Sequence, residues 1–360
     1  MFGFKAFAGP HNPRPSCSTR RKLRGQKTYP IALLAHYGHG EGLRRSFSAL
    51  QRRNHFSPRF YGGRAVSIYP VDLHTHTNFS DGELRPSELV REAKEAGLIA
   101  LGVTDHDNIN GVEEAMEEGQ ALGVEVVPGV EISVEGLEEK REVHILGYFI
   151  NHRDEGLRSL LQAVIKAREE QKIRQIRLLQ SFGLKIEVEE VFARTKGVPG
   201  RHHIAQVLLE RNPERFQSIQ QIFDEYLSRK GKAYVRREWY LSIGEAVEAI
   251  RKAGGIAVLA HPGVYRLPGQ AESWLLTAKA KGIIGLEVCY AYDKNRPYVG
   301  APPDFVEELI SGYSSWAERL GFLKTGGSDF HGNGRGARLG EKGLTLEEFE
   351  NLKKLWGGRA

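Results

Sequence analysis

From Pro70 onward, short apolar strands alternate with amphipathic helices, and this alternation leaves few folds open to the 360-residue chain. Val71–Leu73, Leu98–Thr104, Val124–Val127, Val143–Phe149, Ile256–Ala260, Ile283–Val288 and Phe322–Thr325 read as strands. Helical periodicity covers Arg85–Ala96, Gly111–Leu122, Ile243–Ala253, Glu272–Ala280 and Asp304–Leu320. Pro86 falls in a first helical turn, where its missing N–H costs nothing, and Gly97 ends that helix. Repeated βα units with short connections predict a parallel sheet, and this number of units favours closure into a barrel.

Between residues 152 and 240 the alternation gives way to helices alone. A long one is expected over Gly156–Phe182, with shorter ones near Val188–Thr195, Ile204–Arg211 and Ile219–Leu227. The chain therefore divides into a leader (1–65), a first barrel segment (66–151), a helical insertion (152–240), a second barrel segment (241–345) and a tail (346–360). Charge follows this division. The overall balance of 51 Lys/Arg against 45 Asp/Glu hides a leader whose residues 1–64 hold 13 basic residues and one acid, Glu41. The insertion holds 18 basic and 12 acidic residues between Arg153 and Glu238, and the remaining body is net −12. A positive cap over an acidic barrel suits an anionic substrate, although charge alone also fits a solvated helical face.

The leader has neither strand alternation nor a sustained helical stripe. It fits a disordered basic arm that contacts nucleic acid, an Arg-rich targeting peptide, or a start placed too far upstream. The last is the preferred reading, with Val66 as an alternative start. Cys17 and Cys289 are far apart and in no ligand spacing, which argues against a disulfide framework and for a reducing cytoplasm. No run of about 20 apolar residues is present, so no membrane span is expected.

Chemistry gathers where strands end. In Val71-Asp72-Leu73-His74-Thr75-His76, alternate strand residues share a face, so His74 and His76 aim at one point. Asp81 follows in the next turn. Thr104-Asp105-His106-Asp107 ends the second strand, and Pro128-Gly129-Val130-Glu131 follows the third. His144 lies in the fourth, His261-Pro262 closes the fifth, and Ser328-Asp329-Phe330-His331 follows the last. From residue 65 the chain has nine histidines, and six fall at these places, where barrel loops converge on one opening. A lone histidine is usually a hydrogen-bonded core or surface residue. Six of them interleaved with Asp81, Glu131 and Asp329 point to metal.

The set His74-x-His76, Asp81, Thr104-Asp105-His106, Gly129-Val130-Glu131, His144, Ala260-His261-Pro262 and Asp329-x-His331 resembles the PHP (polymerase and histidinol phosphatase) superfamily of metal-dependent phosphoesterases, over about residues 68–345. Gly200-Arg201-His202-His203-Ile204-Ala205 is similar to the Gly-Arg-Pro-His-Ile-Ala of its TrpH-like branch, with His202 in place of proline. That branch includes 3′,5′-nucleoside bisphosphate phosphatases and 5′→3′ exoribonucleases of the RNase AM type. The resemblance implies an α/β fold, a distorted (β/α)7 PHP barrel with an inserted helical cap domain, holding three divalent metal ions. It implies His74, His76, Glu131 and Asp329 on one ion, and Glu131, His144 and His261 on a second. Asp81, His106 and His331 would hold the third, and Glu131, His106 and His331 are the catalytic candidates. Mixed imidazole and carboxylate donors suit Mn²⁺ foremost, then Zn²⁺ or Fe²⁺, and disfavour Ca²⁺. Asp105 and Asp107 are expected behind the ligands or as helix caps. Arg201 and His203 are candidates for reaching a substrate phosphate from the cap; pairing of Arg201 with a carboxylate is the competing reading.

The expected reaction is hydrolysis of phosphate esters of nucleotides, such as pAp, or of short 5′-phosphorylated oligoribonucleotides, with a metal-bridging hydroxide as nucleophile. A nucleotide or short RNA is the expected partner, touched by the cap or the leader. Three other readings compete: a phosphatase of another small ester such as histidinol phosphate, a non-catalytic nucleic-acid-binding PHP module, and an amidohydrolase. The Gly200–Ala205 element favours nucleotides over the first of these. The complete ligand set counts against the second. Glu131, where amidohydrolases often use a modified lysine, counts against the third. There is no Walker-type loop and no serine elbow.

Overall fold

The computed structural model describes residues 69–136, 142–332, 334 and 336–358, with two short antiparallel strands upstream, β1 (Phe60–Tyr61) and β2 (Arg64–Ala65). The rest of the leader, with its three readings, lies outside the described residues. The described residues from 69 onward form one compact unit.

Alternating strands and helices follow: β3 (Val71–Thr75), α1 (Pro86–Ala96), β4 (Ala100–Val103), α2 (Val112–Leu122), β5 (Glu125–Glu135) and β6 (Glu142–Tyr148). The insertion supplies α3 (Glu155–Ser181), α4 (Val188–Phe192), α5 (Arg201–Arg211) and α6 (Ile219–Ile222), the last running into a π-helical turn at Phe223–Leu227. The barrel then resumes with β7 (Leu241–Ser242), α7 (Ile243–Lys252), β8 (Ile256–Leu259), α8 (Glu272–Ala280), β9 (Gly285–Tyr290), α9 (Pro303–Leu320), β10 (Leu323–Gly327) and α10 (Leu346–Gly357). Seven strands make the wall in the order β10-β9-β8-β6-β5-β4-β3, with β7 paired to β5 beside it. The wall nearly closes where β10 meets β3: His76 N–H donates to Phe330 O and Asp329 N–H to His74 O, both at 2.9 Å. Gly327 permits this approach, because a Cβ there would stand 2.3 Å from His74 Cβ.

The sheet departs from the all-parallel expectation at one strand. β6 runs antiparallel to both β5 and β8. Only residues 136–141 separate β5 from β6, whereas a parallel return needs a dozen or more. The reversal matters for the site. His144 is near the start of its strand, and in an antiparallel strand that end lies at the same rim as the carboxyl ends of the parallel strands.

The tail is a helix. Thr345 and Glu348 form a capping box at its start, and Phe349 and Leu352 are buried against Val71, Tyr148 and Ile256. Trp356 stacks on Phe149 at 4.6 Å and donates its indole N–H to Gly254 O at 2.9 Å. α10 thus seals the barrel end opposite the histidines. Phe349→Ala should destabilise the protein by roughly 3–5 kcal/mol. A loss below about 1 kcal/mol in denaturant unfolding would mean this end is not part of the cooperative core.

α3 belongs to two cores. Leu157, Leu161 and Val164 pack into the barrel cluster, while Ile176 and Leu179 pack with Ile204, Leu208 and Ile222 in the insertion's own cluster. The stretch between them passes the barrel mouth.

Candidate metal centre

Burial and strand geometry bring the nine expected ligands together at that mouth. His74 and His76 are fully buried, and their Nε2 atoms stand 3.1 Å apart. His74 Nδ1 faces Glu287 Oε1 at 2.8 Å. A carboxylate oxygen accepts there, so Nδ1 carries the proton and the Nε2 lone pair points into the mouth. Glu131 lies at the centre. Its Oε1 is 2.8 Å from His144 Nδ1 and 2.9 Å from His261 Nε2. Its Oε2 is 2.9 Å from His106 Nδ1 and 3.4 Å from both His74 and His76. Asp329 Oδ1 stands 3.1 Å from His76 and 3.4 Å from His74, and Asp81 Oδ1 is 3.2 Å from His331 Nε2.

The donors fall into three overlapping groups able to hold an ion: His76, Asp81, His106 and His331; His74, His76 and Asp329; and His106, Glu131 and His144. Within each group the donor atoms lie within 4.8 Å of one another. Glu131 Oε2 and His106 Nδ1 are buried and make no well-directed hydrogen bond, despite their 2.9 Å approach. Such crowding of lone-pair atoms is costly without a cation between them, so this donor set fits divalent transition metals. His261, Asp329 and Asp107 have positive φ angles of 29°, 57° and 52°, backbone strain of the kind that collects at functional sites.

Charge is polarised across the centre. Burial alone would raise Glu131, but His106, His144 and His74 outweigh it and hold the carboxyl well below its usual range. Asp329 is likewise lowered against burial, by His74 and His331. For His144, Glu131 and Glu142 overcome burial and push the ring up to about 10. His76, buried and beside His331, is pushed down to about 3. The surrounding rings thus favour the charged forms of Glu131 and Asp329.

Three contributors, Glu287, Tyr290 and Asp72, had no role assigned from sequence, whereas Asp105 and Asp107 stand behind the ligands as expected. Glu287, fully buried, contacts His74 Nδ1 and accepts the His261 N–H at 2.8 Å, so one side chain orients two imidazoles. Tyr290 donates its hydroxyl to Asp329 Oδ2 at 2.6 Å. Asp72, inside the first motif, accepts from the backbone of Ser328 and Gly340 at 2.9 and 3.0 Å, tying β3 to the loop that bears Asp329. Asp105 accepts from Thr77 and Ser80, holding the loop between His76 and Asp81. Asp107 accepts the Ser133 N–H at 2.7 Å and pairs with Arg168. Of the cap candidates, Arg201 is exposed and donates to Leu227 O at 3.3 Å. His203 is buried, and its Nδ1 accepts the Gly200 N–H at 3.2 Å across the first turn of α5. With His202 it lines a cleft of about 430 Å³ that reaches Asp81 and Lys196.

A rim of this kind belongs to metal-dependent hydrolases of phosphate esters, and comparison with known proteins places the chain among them. Residues 72–287 match the PHP domain, and the chain belongs to that family. It is 32% identical to a 5′-3′ exoribonuclease of Haemophilus influenzae, covering 72% of this chain and 89% of that protein. It is 29% identical to a 3′,5′-nucleoside bisphosphate phosphatase of Chromobacterium violaceum, covering 74% and 89%. A solved structure from Bifidobacterium adolescentis, described as a metal-dependent phosphoesterase, superposes with a TM-score of 0.65 at 30% identity over 78% of this chain and 94% of its own. No helix among the described residues is long and apolar enough to cross a membrane.

Proposed function

We propose that this protein hydrolyses phosphate esters of nucleotides, either the 3′-phosphate of 3′,5′-bisphosphonucleotides or the first phosphodiester of short 5′-phosphorylated RNA. The observation that carries the reading is the position of Glu131, with imidazoles from four strand ends around it at the mouth of the barrel and the basic insertion beside it. The names of the relatives support the nucleotide half of the proposal.

His74, His76, Glu131 and Asp329 would hold one ion, Glu131, His144 and His261 a second, and Asp81, His106 and His331 a third, with Mn²⁺ favoured. Divalent ions at such a centre act as Lewis acids and lower the pKa of water enough for attack on phosphorus near neutral pH. The chain's own part is orientation: Glu287 fixes two rings, Tyr290 fixes Asp329, and Asp105 fixes the Asp81 loop. A cytoplasmic site of action accords with such substrates. Arg201 is proposed to approach a substrate phosphate from the cap and His203 to shape the cleft at Asp81.

Phosphate or nucleotide release should be followed with Mn²⁺ on pAp, AMP, 5′-phosphorylated dinucleotides and histidinol phosphate. Release from pAp or the dinucleotides is expected to exceed release from histidinol phosphate at least tenfold, and chelation should abolish it. Preference for histidinol phosphate, or no release from either nucleotide substrate, overturns the reading. Arg201→Ala should cost on the order of 2–3 kcal/mol on pAp and much less on AMP, as read from kcat/KM.

A further inference from the structure

The cap also reaches the metal centre from the side of Asp81. This carboxylate sits on the loop that leaves β3 at Thr75. From within the barrel, Asp105 holds that loop by accepting from Thr77 and Ser80. From the other side it meets the segment between α4 and α5. Thr195 Oγ1 stands 2.9 Å from Asn78 O and 2.5 Å from Ser80 O, so one hydroxyl proton is shared between two main-chain carbonyls. Lys196 donates its N–H to Asn78 O at 2.9 Å, and its ammonium lies 4.8 Å from the centroid of the Phe79 ring. Each of the three residues before Asp81 is therefore touched by the insertion.

Gly200, the N-cap of α5, faces the carboxylate itself. A Cβ there would stand 3.0 Å from Asp81 Oδ2. Its φ of −72° and ψ of 169° are open to any residue, so the backbone does not call for glycine at this place; the approach of Asp81 does. The N-terminal end of a helix also favours a negative charge beside it. The other oxygen, Oδ1, points to the imidazoles, 3.2 Å from His331 Nε2 and 3.8 Å from His106 Nε2. Asp81 is thus set between two walls, one made by the barrel's histidines and one by the cap. Docking of the insertion is already provided by α3, which packs into both cores. The contacts of Thr195 and Gly200 fall instead on a ligand and on the residues next to it.

We propose that Thr195 and Gly200 are positioning residues for the ion held by Asp81, His106 and His331, and that this site is complete only with the insertion docked on the Asp81 loop. The proposal rests on the three-ion reading above and deepens it. It gives the cap a part in the reaction besides meeting the substrate: the cap sets how tightly one of the ions is held. The hydroxyl of Thr195 fixes the main chain ahead of Asp81, and the bare face of Gly200 leaves the carboxylate room to lie against α5.

The test is Thr195→Val in the full chain, which keeps the shape of the side chain and removes its donor. Mn²⁺ binding is read by equilibrium dialysis with elemental analysis, independently of turnover. One of the three ions should bind about tenfold more weakly or worse, while the other two stay near their wild-type affinities. Thr195→Ser, which restores the hydroxyl, should bind all three as the wild type does. His331→Ala removes a ligand expected on that ion alone, so adding Thr195→Val to it should cost the remaining two ions nothing further. Gly200→Ala, which meets no backbone penalty, should weaken the same ion by displacing Asp81, and it decides the matter if Thr195→Val does not fold. Unchanged binding of all three ions in either folded variant, equal weakening of all three, or failure of Thr195→Ser to restore binding overturns the proposal. A failure of the three-ion reading would look different: the wild type itself would hold fewer than three ions, which overturns the positioning role with it.

Discussion

Glu131→Gln is expected to lower kcat/KM on every phosphate ester by about a thousandfold or more, equivalent to ~4 kcal/mol of lost transition-state stabilisation. Both oxygens of this carboxylate are engaged, Oε1 against His144 and His261, and Oε2 against His106, His74 and His76. An amide preserves the volume but replaces one oxygen with an NH₂ that cannot share a cation. Either orientation of the amide therefore removes a donor from a set that leaves no substitute nearby, as well as a negative charge that offsets the surrounding rings. The fold should survive, since only one side-chain atom changes identity. Metal content by elemental analysis should drop together with activity. A variant that kept its full metal complement and more than a tenth of wild-type turnover would remove Glu131 from the centre.

Glu287→Gln is expected to weaken metal binding by about 10–100-fold without touching a metal. Glu287 has two jobs: Oε1 faces the His74 ring and Oε2 accepts the His261 N–H, each at 2.8 Å. A glutamine can satisfy one and must present a donor to the other. If it faces His74, the ring tautomer reverses and the Nε2 lone pair is lost from the mouth. If it faces His261, the buried N–H of a residue already strained at φ 29° loses its acceptor. Either outcome should appear as a higher Kd for Mn²⁺ in calorimetry, with a proportionate recovery of activity when excess metal is added. An unchanged Kd would show that the two imidazoles are positioned by the strands alone.

These two residues mark different limits of what the chain discloses. Glu131 follows an apolar strand and belongs to a pattern of polar strand ends, so its role is legible from residue type and place. Glu287 sits inside Gly285-Leu286-Glu287-Val288, where an acid in a short strand looks like any solvent-facing residue. Only closure of the sheet turns it inward. The reversal of β6 was not legible, since the strand expected to end at Val127 runs on to Glu135 and only this leaves residues 136–141 as the connection, while the apolar content of β6 reads the same in either direction. The tail carried a readable signal in Thr345-x-x-Glu348 before Phe349 and Leu352, and it proved to be a helix that plugs the barrel.

The sequence by itself determined the kinds of donor and the order of the elements that present them. Strand periodicity sets which residues share a face, and imidazoles with carboxylates define the metal chemistry wherever they meet. Only the tertiary structure decided which atoms meet. His261 reaches Glu131 across 130 residues of chain, Ser328 reaches Asp72 across 256, and Arg237 is drawn to Glu142 across 95. Contacts at such separations depend on barrel closure, on the reversed strand and on a helix shared between two cores, and none of these is encoded in any short stretch of residues.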